Sequence, residues 1–134
     1  MTKPTNIRVR SSRRVEMIDI TEGVAAAIRD SGVVEGICVL QSLHTTAALT
    51  INESADPDVR RDMEKQLALI VPRDPAFRHA EGNSDSHIKT SLFGPSLTLV
   101  ISGGGPVLGT WQAIYVCEFD GPRERSVVVK CVEG

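Results

Sequence analysis

The chain has only three cysteines, almost no excess charge and no long apolar run, and each shortage removes a class of protein. Cys38, Cys117 and Cys131 are odd in number and widely spaced, with no Cys-x-x-Cys pair, so they read as small core residues of a protein kept in a reducing compartment. No apolar stretch is long enough to span a bilayer and no N-terminal run resembles a signal peptide, which predicts a cytoplasmic protein with no membrane partner. With 15 Lys and Arg against 17 Asp and Glu, the net charge of -2 supplies no overall field for nucleic acid. The one basic run, Lys3, Arg8, Arg10, Arg13 and Arg14, reads as an edge strand guarded by its charges rather than as a nucleic-acid contact. Nothing repeats at a fixed period and no low-complexity linker interrupts the sequence. What is present, 134 residues with 41% hydrophobic content, suffices for one domain spanning residues 1–134 around a buried core.

Two segments carry helical periodicity. Thr21 is a candidate N-cap, Val24, Ala27, Ile28 and Ser31 share a face, and Gly32 ends the first helix. Asp56 caps the second, Pro57 fits its first position, and Val59, Met63, Leu67 and Ile70 recur at helical spacing before Pro72, with Met63 and Leu67 expected to pack inward. A third helix is allowed for, beginning near Asp85. Strands are expected at residues 7–10, 15–20, 36–43, 96–102, 110–119 and 126–132, from their Val, Ile, Leu and Thr content. The turns at Gly103-Gly104-Gly105-Pro106 and Asp120-Gly121-Pro122 suggest two hairpins, making the last third an antiparallel meander. The class is α+β.

All three histidines lie in segments crowded with hydroxyl, amide and carboxylate groups: His44-Thr45-Thr46, and His79-Ala80-Glu81-Gly82-Asn83-Ser84-Asp85-Ser86-His87. Such neighbours orient an imidazole or hold a polar ligand. Strand alternation puts Cys38, Leu40, Ser42 and His44 on one side, with His44 at a strand end where it can lean over a pocket. It also makes Gln112 and Glu118 face the same way, and puts Trp111 on one face with Tyr115 and Phe119, which reads as core rather than as a stacking platform.

Three ordered motifs, His44-Thr45-Thr46-Ala47-Ala48-Leu49-Thr50-Ile51-Asn52-Glu53, Glu81-Gly82-Asn83-Ser84-Asp85-Ser86-His87-Ile88-Lys89 and Gly109-Thr110-Trp111-Gln112, together with Cys117-Glu118-Phe119-Asp120-Gly121-Pro122-Arg123, closely resemble the YjbQ-like family, also called the secondary thiamine-phosphate synthase family. The resemblance implies a compact domain with a mostly antiparallel β-sandwich core and two to three helices, assembled as a homotrimer with sites near subunit interfaces. It also implies a secondary, weak activity that joins an aminopyrimidine diphosphate to a thiazole phosphate, giving thiamine phosphate and pyrophosphate.

The residues themselves suggest the following chemistry. His44, His79 and His87, if they converge, would form a tripod for a divalent metal, zinc or magnesium, with an open position; the alternative is a set of hydrogen-bonded polar histidines. Glu53 is the general-base candidate if buried, with Asn52 ordering the end of the His44 strand and Asn83 and Gln112 completing the catalytic set. Thr45, Thr46, Asn52, Ser84, Lys89 and Arg123 would bind a phosphorylated small molecule, helped by free amides at the start of the third helix; otherwise Ser84 or Asp85 only caps that helix and Lys89 is solvated. Asp58 and Asp62, four apart on one helical face, need either a cation or the nearby Arg60, Arg61 and Lys65. Two functions follow: an enzyme acting on a small phosphorylated substrate, or a non-catalytic module that binds a metabolite or metal.

Overall fold

The computed structural model describes residues 3–134. Its elements run β1 (Thr5–Arg10), β2 (Glu16–Asp19), α1 (Thr21–Ser31), β3 (Gly36–Ser42), β4 (Ala47–Glu53), α2 (Pro57–Ile70), α3 (Ser84–Phe93), β5 (Ser96–Ser102), β6 (Gly105–Pro106), β7 (Gln112–Glu118) and β8 (Glu124–Glu133). They form two antiparallel sheets, one ordered β1-β8-β3-β5-β6 and one ordered β2-β7-β4. Cys38, Leu40, Leu99, Ile101, Val127 and Val129 of the larger sheet meet Ala47, Leu49, Ile114 and Val116 of the smaller, with Val24 and Ile28 of α1 closing the layer. This is the expected α+β sandwich core.

The far side of the smaller sheet, Met17, Ala48, Ala113, Tyr115, Cys117 and Phe119, is covered by Met63 and Leu67 of α2 and by Phe93 of α3. The inward packing expected of Met63 and Leu67 is observed, and so is the capping of α2: the Asp56 side chain accepts from the Asp58 N–H and Pro57 opens the helix. Gly32 ends α1 in the left-handed conformation, but Thr21 is a helical residue and not its cap; its hydroxyl oxygen accepts from the Ile114 N–H instead. All three cysteines are buried. β1 is an edge strand, consistent with the reading of its arginines. No helix among the described residues is long and apolar enough to cross a membrane.

The C-terminal meander is not found. Gly103 and Gly104, both at positive φ, turn β5 back only onto the two residues of β6. β7 then enters the other sheet between β2 and β4, and β8 crosses back to lie between β1 and β3. Turn composition signals a reversal but does not say which strand receives the returning chain. The Asp120-Gly121-Pro122 segment is therefore a crossover between sheets, packed so tightly that a Cβ on Gly121 would lie 2.3 Å from the Arg13 carbonyl oxygen and 2.5 Å from Ser11 Oγ. A second difference is β4, a strand where none was expected. Trp111 is also not core: it precedes β7, beyond the end of the face it was expected to share, and is 62% exposed.

Candidate functional site

The β7–β8 crossover and the start of α3 bring most of the polar candidates to one end of the smaller sheet. Glu118, alternating with Ile114 and Val116 on the face toward the sandwich, is fully buried. Its Oε1 accepts from Arg125 Nε at 2.8 Å and Ser11 Oγ at 2.6 Å, while Oε2 accepts from the Asp120 N–H and from Arg125 Nη2. Burial favours the neutral acid, but these donors outweigh it and hold the Glu118 carboxyl below its ordinary range. Arg125 Nη2 also donates to Thr46 Oγ1 at 2.9 Å and to the Thr46 carbonyl oxygen. Thr46 is thus a structural anchor of the arginine, while Thr45 beside it is exposed.

Around Asp120 the network opens outward. Its carboxylate accepts from Asn83 Nδ2 at 2.7 Å and Arg123 Nη2 at 2.9 Å, and Arg14 Nε lies 3.8 Å away. Arg14 makes a two-pronged pair with Asp85 at 3.1 and 3.2 Å and donates to Ser86 Oγ, which in turn donates to the Phe119 carbonyl oxygen. Burial raises the Asp85 pKa, but Arg14 and Lys89 more than reverse this and keep it ionised below its usual range. Lys89, one turn along α3, lies 3.7 Å from Asp85 and over the Phe119 ring, and is only 4% exposed. The solvated alternative for Lys89 is excluded. Burial lowers its pKa and Arg14 adds to this, against the pull of Asp85. Neither Ser84 nor Asp85 caps α3; Asn83 occupies that position without a capping bond, and its Oδ1 is buried with no donor in reach.

The histidines divide. His79 and His87 meet edge to face, with ring centroids 5.6 Å apart at 88°. His44 follows β3 at the predicted strand end, but its Nε2 is engaged, accepting from the Ser126 N–H at 2.8 Å. Burial, with the positive charge of Arg125 behind it, holds that imidazole below its usual pKa and therefore neutral near pH 7. Among the described residues no group of three His, Cys, Asp or Glu side chains is arranged to hold a metal ion, so the three-histidine tripod does not form within the chain.

Glu53, Asn52 and Gln112 lie elsewhere. β4 is antiparallel to β7 with Ala47 opposite Glu118 and Glu53 opposite Gln112, so this group sits at the other end of the sheet, about 20 Å away at about 3.3 Å per residue. Extended backbone carries them off, where a compact loop would have kept them beside His44. Gln112 Oε1 accepts from the Gly109 N–H, and Asn52 Oδ1 from the Glu53 N–H at the end of β4, both local bonds. The exposed Asp58 pairs with Arg61 at 2.9 Å, the surface alternative to a cation. The residues missed were Arg14 and Asp120, both central to the network. Glu118 carried a readable signal, a charge on an apolar strand face, which requires a buried partner.

The profile described as UPF0047 protein, YjbQ-like, matches residues 5–134. The chain belongs to this family. It is 48% identical over 125 residues to the UPF0047 protein MJ1081 of Methanocaldococcus jannaschii, covering 93% of this chain and 91% of that one. The UPF0047 protein YugU of Bacillus subtilis is 43% identical over 92% of this chain and 95% of its own. A crystal structure of a family member from Clostridium acetobutylicum superposes with a TM-score of 0.93 at 47% identity, covering 96% of this chain and 99% of that one. A YjbQ-like protein of unknown function from Sulfolobus solfataricus, 28% identical, gives 0.94 over 100% and 99% of the two chains. These family members share the fold and most of the length.

Proposed function

We propose that this family member is a small-molecule enzyme acting on a phosphorylated substrate at the start of α3, with thiamine-phosphate synthesis as its candidate reaction. The observation that carries the reading is a buried, charged helix start with an unfilled hydrogen-bonding position: Lys89 and Asp85 held against Arg14, beside an Asn83 Oδ1 that has no donor. An unsatisfied buried acceptor costs about 1–3 kcal/mol, which a bound N–H or O–H would recover. The exocyclic amine of an aminopyrimidine is such a donor.

In the reaction, the bond between the pyrimidine methylene carbon and the diphosphate oxygen breaks, the thiazole nitrogen forms the new bond to that carbon, and pyrophosphate leaves with the electron pair. No base is needed, because the nitrogen attacks with its own lone pair. The demand is for positive charge at the leaving oxygens, and Arg14, Lys89 and Arg123, set against the carboxylates of Asp85 and Asp120, would meet it with their excess charge. His79 and His87, whose rings meet edge to face, are the residues that would hold a divalent cation, and such an ion would supply further positive charge.

The family resemblance carries the expectation of a homotrimer with sites near its interfaces, and only a second copy would bring the distant group of Asn52, Glu53 and Gln112 to this site. Light scattering is expected to give three times the chain mass, and a stable monomer at micromolar concentration refutes this part. For the reaction, Lys89→Met is expected to lower product formation from the two phosphorylated substrates at least 100-fold, followed by mass spectrometry, with its melting temperature little changed. Wild-type turnover in that variant overturns the site. Tight substrate binding without product in the wild-type chain instead identifies a binding module.

A further inference from the structure

Against the first turns of α2 lies an open, solvent-facing groove of about 470 Å³, lined by Arg13, Met17, Pro57, Arg60, Arg61 and Glu64. Its charge is three guanidinium groups against one carboxylate. Arg13 reaches Glu64 only at 3.3 and 3.4 Å and is largely exposed, and Arg61 is tied to Asp58 at the surface. Arg60 is different. Its guanidinium sits over the Tyr115 ring, 5.5 Å from the centroid, and its Nε–H is buried with no acceptor. A buried cationic donor without a partner, in a groove with two further arginines, is an incomplete site for an oxyanion.

We infer that this groove binds a small molecule carrying a phosphoryl group on a flat apolar body. The phosphoryl group offers three acceptor oxygens and close to two negative charges, which match an excess of guanidinium groups better than a single carboxylate does. Met17 and Pro57 supply the apolar wall for the body. A volume of this order accommodates a metabolite-sized ligand. The site is distinct from the start of α3, because Arg14, the neighbour of Arg13, turns to Asp85 instead. It stands whether or not the proposed reaction does.

Phenyl phosphate is the probe, titrated into the full chain by calorimetry, with benzoate as comparator. The expected result is one phenyl phosphate per chain attributable to this groove, bound at least tenfold more weakly by Arg60→Ala, severalfold more weakly by Arg61→Gln, and unchanged in Lys89→Met. Benzoate should bind more weakly than phenyl phosphate, and added salt should weaken both. Far-UV circular dichroism checks that each variant is folded, and Arg61→Gln keeps the test decisive if Arg60→Ala is not. Wild-type affinity in both arginine variants, loss confined to Lys89→Met, or no binding by the wild-type chain would each overturn the inference.

Discussion

Two clusters of buried charge lie within one crossover of each other and are built to opposite specifications. Around Glu118 and Arg125 the bonding is closed: each carboxylate oxygen accepts two hydrogen bonds, and the guanidinium is anchored on Thr46. At the start of α3 the bonding is open: Lys89 is buried beside Asp85 while Asn83 Oδ1 is left without a donor. A closed network sits where two sheets must be locked together, an open one where something else can complete it. The difference separates charge whose hydrogen bonds are all met within the chain from charge lying beside an unfilled acceptor, which a count of buried ionisable residues would not do.

The sharpest way to break this contrast is to remove one partner from each cluster. Arg125→Met leaves Glu118 buried and uncompensated, and is expected to cost about 3–5 kcal/mol in urea unfolding; Lys89→Met, which leaves Asp85 paired with Arg14, should cost far less. Equal losses would erase the distinction. Acid titration comes next. His44, its pKa lowered from 6.5, stays neutral while the unfolded chain takes up a proton, so stability should begin to fall as the pH drops through 6.5. Glu118 and Asp85, lowered from 4.5 and 3.8, contribute stability present above those values and lost as the pH falls through their lower folded-state values. Urea midpoints across pH should therefore show two acid limbs, and His44→Gln should remove the upper one alone. Smallest of all, Trp111→Ala should change stability by no more than about 0.5 kcal/mol, since the side chain is exposed. A larger loss in the assembled protein would mean that a neighbouring copy covers it.

Some local signals are borne out and others are not: Thr21 lies inside α1 rather than capping it, and Asn83 precedes α3 where Ser84 or Asp85 was expected to cap. Asp56 and Pro57 open α2 and Gly32 closes α1, because capping depends on a few adjacent residues. Alternation also held, with Glu118 and Gln112 sharing a face with Ile114 and Val116. It gave direction but not distance: it could not tell that Gln112 lies at the exposed end of β7 and Glu118 at its buried one. β4, Ala47–Glu53, announces itself weakly, because Ala47, Ala48 and Leu49 are all buried and the segment lacks the alternation of a strand with one wet face. Arg14 looked like one more guard on an edge strand, since nothing within the basic run announces a carboxylate 71 residues away.

The class, the family resemblance, the start of α2, the end of α1 and the segments in which polar chemistry is concentrated are legible in the chain alone, because periodicity, caps and ordered motifs are written in neighbouring residues. Tertiary structure decided which of those segments meet. It paired His79 with His87, gave His44 to the Ser126 amide, buried Lys89 and carried Glu53 to the far end of the sheet. Strand order and crossovers fix such meetings, through contacts between residues far apart in the chain whose side chains carry no local mark of their partner.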